Sequence, residues 1–219
     1  MPLHLIQVNT PLVLKNKINP RNIIFQITNI MKTTRIKFLA LVISFLGITT
    51  LATAQKSYTL DSKSTFSVAG TSTLHDWEMK SASGTGTANL TIANSKLTEI
   101  ESLSITLLAE SVKSEKKSMD KVAYETLKTD KNKNIKYVLK SAEKVNETTW
   151  ELTGTYTIAG VSKLLKTTVK TTVTQNRLNM QGTNKITFSE FGMKSPTAML
   201  GTIKTGQDLT LKFNLTFNL

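Results

Sequence analysis

The C-terminal part of the chain alternates strictly between apolar and polar residues. The apolar residues occupy every second position: Leu209, Leu211, Phe213, Leu215, Phe217 and Leu219. Successive side chains of a β-strand point to opposite faces, whereas a helix cannot place this set on one face. The pattern therefore predicts a long strand with one buried face.

Shorter runs of the same kind follow one another from residue 56 onwards. They cover residues 58–60, 66–68, 77–79, 88–92, 103–107, 135–139, 152–158, 165–173 and 186–188. Turn-forming residues such as Asn94, Gly160 and Gly206 separate several of the runs. Short connections of this type favour antiparallel pairing between neighbouring strands.

Residues 118–130 break the alternation, because Val122, Tyr124 and Leu127 lie among charged residues. A serine oxygen can accept hydrogen bonds from the free N–H groups of a helix's first turn, so Ser118 is a candidate N-cap. We predict one short helix in this segment.

Many evenly spaced strands and a single helix predict an all-β domain, either a closed barrel or a sandwich. A barrel of about eight strands has an interior that side chains can fill or that can hold one slender ligand. The longer runs would span roughly 30 Å at about 3.3 Å per residue. A barrel built from them would be elongated and narrow.

Residues 31–54 have the order of a cleavable export signal. Basic residues Lys32, Arg35 and Lys37 precede the apolar run 38–51, and small residues follow at Ala52 and Ala54. This order predicts cleavage after Ala54 and a periplasmic or secreted product. The alternative is a permanent anchor, but the run is shorter than the roughly 20 residues that a spanning helix needs.

The export signal divides the chain into three parts. We expect residues 1–30 to be a gene-model extension or a disordered leader, residues 31–54 to be the signal peptide, and residues 55–219 to form one domain without a membrane anchor. Removing residues 1–54 lowers the formal charge from +13 to +7, because six bases and no acids precede residue 55. The remaining lysines are dispersed, which argues against a nucleic-acid partner. Two small lysine groups, around residues 113–117 and 128–133, suit solvated loops or, alternatively, anionic headgroups.

His75 is the only histidine after the export signal, and Asp76 follows it. Side chains of adjacent strand residues point to opposite faces, so these two are poorly placed to bond each other. A catalytic serine motif is absent, and one histidine without any cysteine is a poor ligand set for a metal. We therefore expect a protein that is not an enzyme and that needs no cofactor or metal.

Residues 188–201 interrupt the alternation with a proline and large apolar side chains. Phe191, Met193, Met199 and Leu200 would be costly to leave in water. They could plug one end of the barrel, or they could line an entrance where adaptable methionines suit an apolar guest.

Several short segments, in one order along the chain, match those of a known family; they lie at residues 58–61, 64–68, 118–120, 127–128, 135–137, 154–163 and 205–211. On these segments the chain resembles the YceI-like family of exported lipid-binding or polyisoprenoid-binding proteins. Residues 74–77 and 196–201 resemble a branch common in Bacteroidetes-type bacteria. The resemblance implies an elongated, lipocalin-like antiparallel β-barrel of about eight strands, with a helix at residues 118–130 near one end and a long apolar chain in the lumen.

These observations together predict an exported protein that carries or sequesters an isoprenoid, quinone or fatty amide. A barrel with a packed lumen that binds a protein or envelope partner is the alternative, and an enzyme centred on His75 and Asp76 is a third. The residues expected to line the lumen are Phe66, Trp77, Met79, Leu103, Ile105, Tyr156, Ile158, Phe188, Phe191, Phe213 and Phe217.

Overall fold

The computed structural model describes residues 56–219, so the predicted leader and export signal lie outside the described residues. The described part contains eleven strands and one α-helix. The strands are β1 Lys56–Thr59, β2 Thr65–Ser72, β3 Trp77–Ser81, β4 Gly84–Ala93, β5 Lys96–Leu108, β6 Asn134–Lys144, β7 Thr149–Ile158, β8 Val161–Val173, β9 Arg177–Thr187, β10 Thr197–Ala198 and β11 Ile203–Asn218. The helix, α1, spans Lys117–Leu127. Among residues 56–219, no helix is long and apolar enough to cross a membrane.

One antiparallel sheet contains all strands except β10, in the order β1-β4-β5-β6-β7-β8-β9-β11-β2-β3. The two-residue strand β10 pairs only with β11. This arrangement confirms the predicted all-β, lipocalin-like barrel with one helix. The short strands β1, β3 and β10 bring the count above the eight or so that the longer alternating runs indicated.

Main-chain bridges connect each edge of the curled sheet to another segment of the barrel. Near β1, Leu60 pairs with Phe217 of β11, and the N–H of Asp61 donates to the carbonyl of Thr216 at 2.8 Å. Near β3, Lys80 and Lys113 exchange two main-chain hydrogen bonds of 2.8 and 2.9 Å. Such closure satisfies edge groups that would otherwise be free to pair with another chain.

Strand β5 buries Leu97, Ile100 and Leu103, which are three residues apart rather than two. Two register shifts against β4 insert Thr98 and Glu101 into β5. A β-bulge adds one residue to one strand and so returns the following side chain to the same face. The bulges therefore keep all three apolar side chains in the barrel interior.

The barrel interior is filled with apolar side chains at the end where β1 meets β11. Ala88, Val169, Leu178, Met180 and Phe217 are completely inaccessible to solvent there. The surrounding cluster also includes Tyr58, Leu90, Leu97, Ile100, Leu103, Ile105, Trp150, Leu152 and Leu215. We call this region the packed end.

Helix α1 lies at the opposite end of the barrel. It packs its apolar side chains Met119 and Ala123 against a small cluster that contains Met79, Leu107 and Val112. The hydroxyl of Tyr124 donates to the carbonyl of Glu110 at 2.8 Å and ties the helix to the segment after β5. The helix thus stands over the mouth of the barrel.

The predicted cap at Ser118 is wrong, because the helix begins one residue earlier and its N-cap position is Lys116. Asp120 stabilises the entry instead, since its Oδ1 accepts hydrogen bonds from both the N–H and the hydroxyl of Ser114. The helix ends at Leu127, where Lys128 takes a left-handed conformation with φ of 53°.

Candidate ligand-binding cavity

The lumen is hollow between the packed end and helix α1. The cavity has a volume of about 700 Å³, within the range of roughly 300–1,000 Å³ that is typical of small-molecule sites. Its floor is formed by Leu103, Leu152 and Leu215, which belong to the packed cluster. The cavity therefore begins where the packing of the closed end stops.

Nine strands and the helix contribute to an almost entirely apolar wall. The inward residues of β11 descend in order from the mouth to the floor, as Leu209, Leu211, Phe213 and Leu215. Across the lumen, β5 supplies Leu103, Ile105 and Leu107, and α1 supplies Met119, Val122, Ala123 and Leu127. An apolar molecule in this space would lose contact with water on all sides except at the mouth.

Aromatic rings in the wall lie flat over glycines of neighbouring strands. A Cβ added to Gly182 would come within 2.3 Å of the Phe213 ring, and one added to Gly154 within 2.3 Å of the Tyr137 ring. The Phe66 ring covers Gly84 in the same way. Because these glycines leave room at the wall, the rings need not project into the lumen.

A small polar group lies within the apolar wall. The hydroxyls of Tyr156 and Thr167 are 2.9 Å apart, and the side-chain amide of Asn184 donates to Thr167 at 2.8 Å. Burial raises the pKa of Tyr156, and the hydrogen bonds from Thr167 and Asn184 oppose that rise. Each buried polar atom of this group thus has a partner, as buried polar groups require.

Tyr137 differs from its neighbour Tyr156. The two rings meet edge to face with centroids 4.8 Å apart, but the Tyr137 hydroxyl has no hydrogen-bond partner among the described residues. Burial is also the main cause of the raised pKa of Tyr137. This hydroxyl carries the cost of desolvation without a compensating bond.

Nine of the residues predicted to line the lumen surround the cavity. They are Phe66, Trp77, Met79, Leu103, Ile105, Tyr156, Ile158, Phe188 and Phe213. The other two, Phe191 and Phe217, are fully buried outside the cavity wall. Phe217 packs within the closed end, and Phe191 packs with Met193 and Leu209 beside the mouth.

The inner face of helix α1 is the main part of the wall that the sequence did not reveal. Met119, Val122, Ala123 and Leu127 recur at helical spacing, which was the available signal. Val68, Leu107, Ile135 and Tyr137 also belong to the wall, and their positions in alternating strands could have identified them as inward-facing.

Residues 188–201 combine both predicted roles. Phe191 and Met193 are buried and help to close the barrel beside the mouth, whereas Met199 and Leu200 are exposed. Met193 and Met199 both border the cavity. The segment therefore plugs one side of the barrel end and lines the entrance on the other.

His75 and Asp76 lie in the exposed turn between β2 and β3. The ring Nδ1 of His75 is 2.7 Å from the main-chain oxygen of Asp76, so it contacts the backbone rather than the carboxylate. Within residues 56–219, no three His, Asp or Glu side chains are grouped as a metal site would require.

Comparison with known families identifies this architecture. The model of the YceI-like domain matches residues 58–217, which include nearly all of the barrel. The chain belongs to the YceI-like family. No curated protein matches the chain.

Solved YceI-like and related structures share the fold at low sequence identity. BcnA of Burkholderia cenocepacia aligns with a TM-score of 0.61 at 16% identity, over 72% of this chain and 98% of its own. A polyisoprenoid-binding domain from Saccharophagus degradans gives 0.58 at 13% identity, over 74% and 97%. The YceI protein of Campylobacter jejuni gives 0.51 at 22% identity, over 60% and 80%.

Proposed function

We propose that this protein binds a long-chain apolar molecule in the barrel lumen and carries or sequesters it outside the cytoplasm. The observation that supports this most directly is the apolar cavity of about 700 Å³. A lumen filled throughout by side chains, as an interaction module would have, lacks such a space. The polyisoprenoid-binding domain among the similar structures supports an isoprenoid, and a quinone or fatty amide has the same long apolar form.

Burial of the ligand chain supplies the affinity in this proposal. Each CH₂ group removed from water contributes about 0.8 kcal/mol, so a long chain gains on the order of 10 kcal/mol before the costs of association. Affinity then comes from the wall as a whole rather than from one polar contact. Binding without chemical conversion is the activity that we assign.

The proposed location outside the cytoplasm depends on residues 31–54. Their basic start, apolar run and small residues at positions 52 and 54 have the order of an export signal. A long apolar chain has low solubility in an aqueous compartment, and a carrier with a dry lumen would solve that problem.

The test is displacement of parinaric acid, a fluorescent polyene fatty acid, from the purified protein. We expect saturable fluorescence that a polyprenyl alcohol or a fatty amide displaces. Leu211→Trp, in the middle of the cavity wall, should weaken binding at least tenfold, whereas Leu108→Trp, exposed on the same kind of strand, should not. Absence of saturable binding, or equal loss in both variants, would refute the proposal.

A further inference from the structure

Three strongly exposed apolar side chains lie on two loops at the mouth of the barrel. Leu74, in the turn between β2 and β3, is 65% exposed, and Met199 and Leu200, between β10 and β11, are 74% and 108% exposed. Thr73 joins the two loops, because its N–H donates to the carbonyl of Lys204 at 3.0 Å and its hydroxyl accepts from the Lys204 N–H at 3.1 Å. We call Leu74, Met199 and Leu200 the mouth patch.

The mouth patch is continuous with the interior of the cavity. Leu74 and Met199 belong both to the patch and to the cavity wall, and Lys116 and Ser118 border the same opening from the helix side. Contiguous exposed apolar surface of this kind marks interaction sites in soluble proteins. Here the apolar surface leads directly from the outside into the lumen.

The backbone holds the outermost residue of the patch away from the protein. Met199 and Leu200 have φ values of 50° and 54°, in the left-handed region that non-glycine residues seldom occupy. Gly201 follows with φ of 89°. This strained turn projects the Leu200 side chain into solvent instead of returning it to the core.

Exposed lysines lie on the segments that form the mouth. Lys116 borders the opening, Lys204 is exposed on β11, and Lys194 is exposed three residues before β10. The exposed acids of the adjoining segments are Asp76, Glu115, Glu190 and Asp208. Lys116 and Lys204 lie closest to the apolar patch, because Lys116 borders the opening and Lys204 pairs with Thr197, two residues before Met199. Positive charge beside apolar side chains suits anionic lipid headgroups around inserted apolar residues.

We propose that the mouth patch docks the barrel on an anionic lipid bilayer, with the opening of the lumen against the membrane. The proposal rests on the proposed function, because docking would let an apolar ligand pass between bilayer and lumen without crossing water. Leu200 and Met199 would enter the boundary between headgroups and acyl chains, while Lys194 and Lys204 would contact phosphates.

Co-sedimentation with vesicles tests the docking. The purified protein should bind vesicles of mixed phosphatidylglycerol and phosphatidylcholine, and bind at least several-fold more weakly to phosphatidylcholine alone or in high salt. Leu200→Ser should weaken binding at least fivefold. Leu164→Ser is the matched control, since Leu164 is 62% exposed on β8 and lies outside the cavity wall.

Neutral variants of the lysines test how much charge contributes to vesicle binding. Combined Lys194→Gln and Lys204→Gln should weaken binding to the anionic vesicles and leave binding to phosphatidylcholine unchanged. Lys170→Gln, on the outer face of β8, should change neither. Equal losses in the mouth and control variants would overturn the proposal, as would failure of the unmodified protein to bind anionic vesicles.

Parinaric acid binding in solution separates this proposal from the proposed function. Leu200 is not part of the cavity wall, so Leu200→Ser should keep full parinaric acid affinity while losing vesicle binding. A protein that binds parinaric acid but no vesicles would overturn docking alone. Vesicle binding without parinaric acid binding would overturn the proposed function alone, and a dimer that Leu200→Ser dissociates would assign the patch to a second copy instead.

Discussion

The packed end and the hollow end of the barrel share long strands such as β5, β7 and β11 but have different interiors. Strand β7 places Trp150 and Leu152 in the closed core and Tyr156 and Ile158 around the cavity, with Gly154 between them. The alternation of side chains is the same along the whole strand. Alternation therefore determines which residues face inward, whereas the size of those residues and the glycines beside them determine whether the lumen is filled.

Truncation of leucine should show the largest difference between the two ends. Leu178→Ala, at a position with no solvent exposure in the packed end, should lower the free energy of unfolding by about 3–5 kcal/mol, because it leaves a cavity among close-packed neighbours. Leu211→Ala should cost about 1 kcal/mol, since this side chain already borders open space. Urea denaturation measures both. Similar costs would mean that the lumen is not hollow around Leu211.

Replacement of valine by phenylalanine should also distinguish the two ends, because only the hollow end has room for a larger side chain. Val169→Phe should lower the free energy of unfolding by about 1–3 kcal/mol or more, because the packed end has no space for a ring. Val68→Phe should cost less than about 1 kcal/mol, since Val68 faces the cavity, but it should weaken parinaric acid binding. A stable Val169→Phe variant would contradict the description of the closed end.

Removal of a tyrosine hydroxyl should have opposite effects at two neighbouring positions in the cavity wall. Tyr156→Phe should lower stability by about 1 kcal/mol, because the Thr167 hydroxyl loses a buried partner. Tyr137→Phe should raise stability by up to about 1 kcal/mol, because it removes a buried hydroxyl without a partner. Thermal and urea denaturation check both signs. Destabilisation by Tyr137→Phe would reveal a bond that the described residues do not supply.

The same tyrosines should make the fold sensitive to alkali. Burial raises the pKa of Tyr137 and Tyr156 above the ordinary value of 10.0, so the unfolded chain releases these protons at lower pH than the folded protein. The free energy of unfolding is therefore unaffected below about pH 10 and falls above it, by up to about 1.4 kcal/mol per pH unit for each tyrosine. Urea midpoints measured across this range should fall less steeply in Tyr137→Phe.

Much of the fold followed from alternation alone. Strand β11 and the inward positions of β5, β7 and β9 were predictable because each buries one face. The bulges in β5 were not predictable. The three-residue spacing of Leu97, Ile100 and Leu103 departs from alternation and is explained only by the pairing of β5 with β4. Ser118 was a plausible cap by type, but the position of Asp120 near Ser114 determined how the helix begins.

The sequence predicted which residues face the barrel interior, but not how far from the mouth each of them lies. Phe217 was correctly expected to face inward, yet it lies in the packed end, because the depth of a residue in a barrel depends on register and closure rather than on its own strand. Phe191 lies in a short turn beside the mouth, where its large ring is buried by Met193 and Leu209. The contribution of α1 to the cavity wall depends on where the helix packs on the barrel. The sequence of the helix alone does not determine that position.

Native mass spectrometry of the protein purified from its own host tests the central claim most directly. We expect a population with the added mass of one long-chain apolar molecule, which an added polyprenyl alcohol displaces and which Leu211→Trp lacks. A spectrum with only the mass of the bare protein, together with no uptake of the added alcohol, would contradict it.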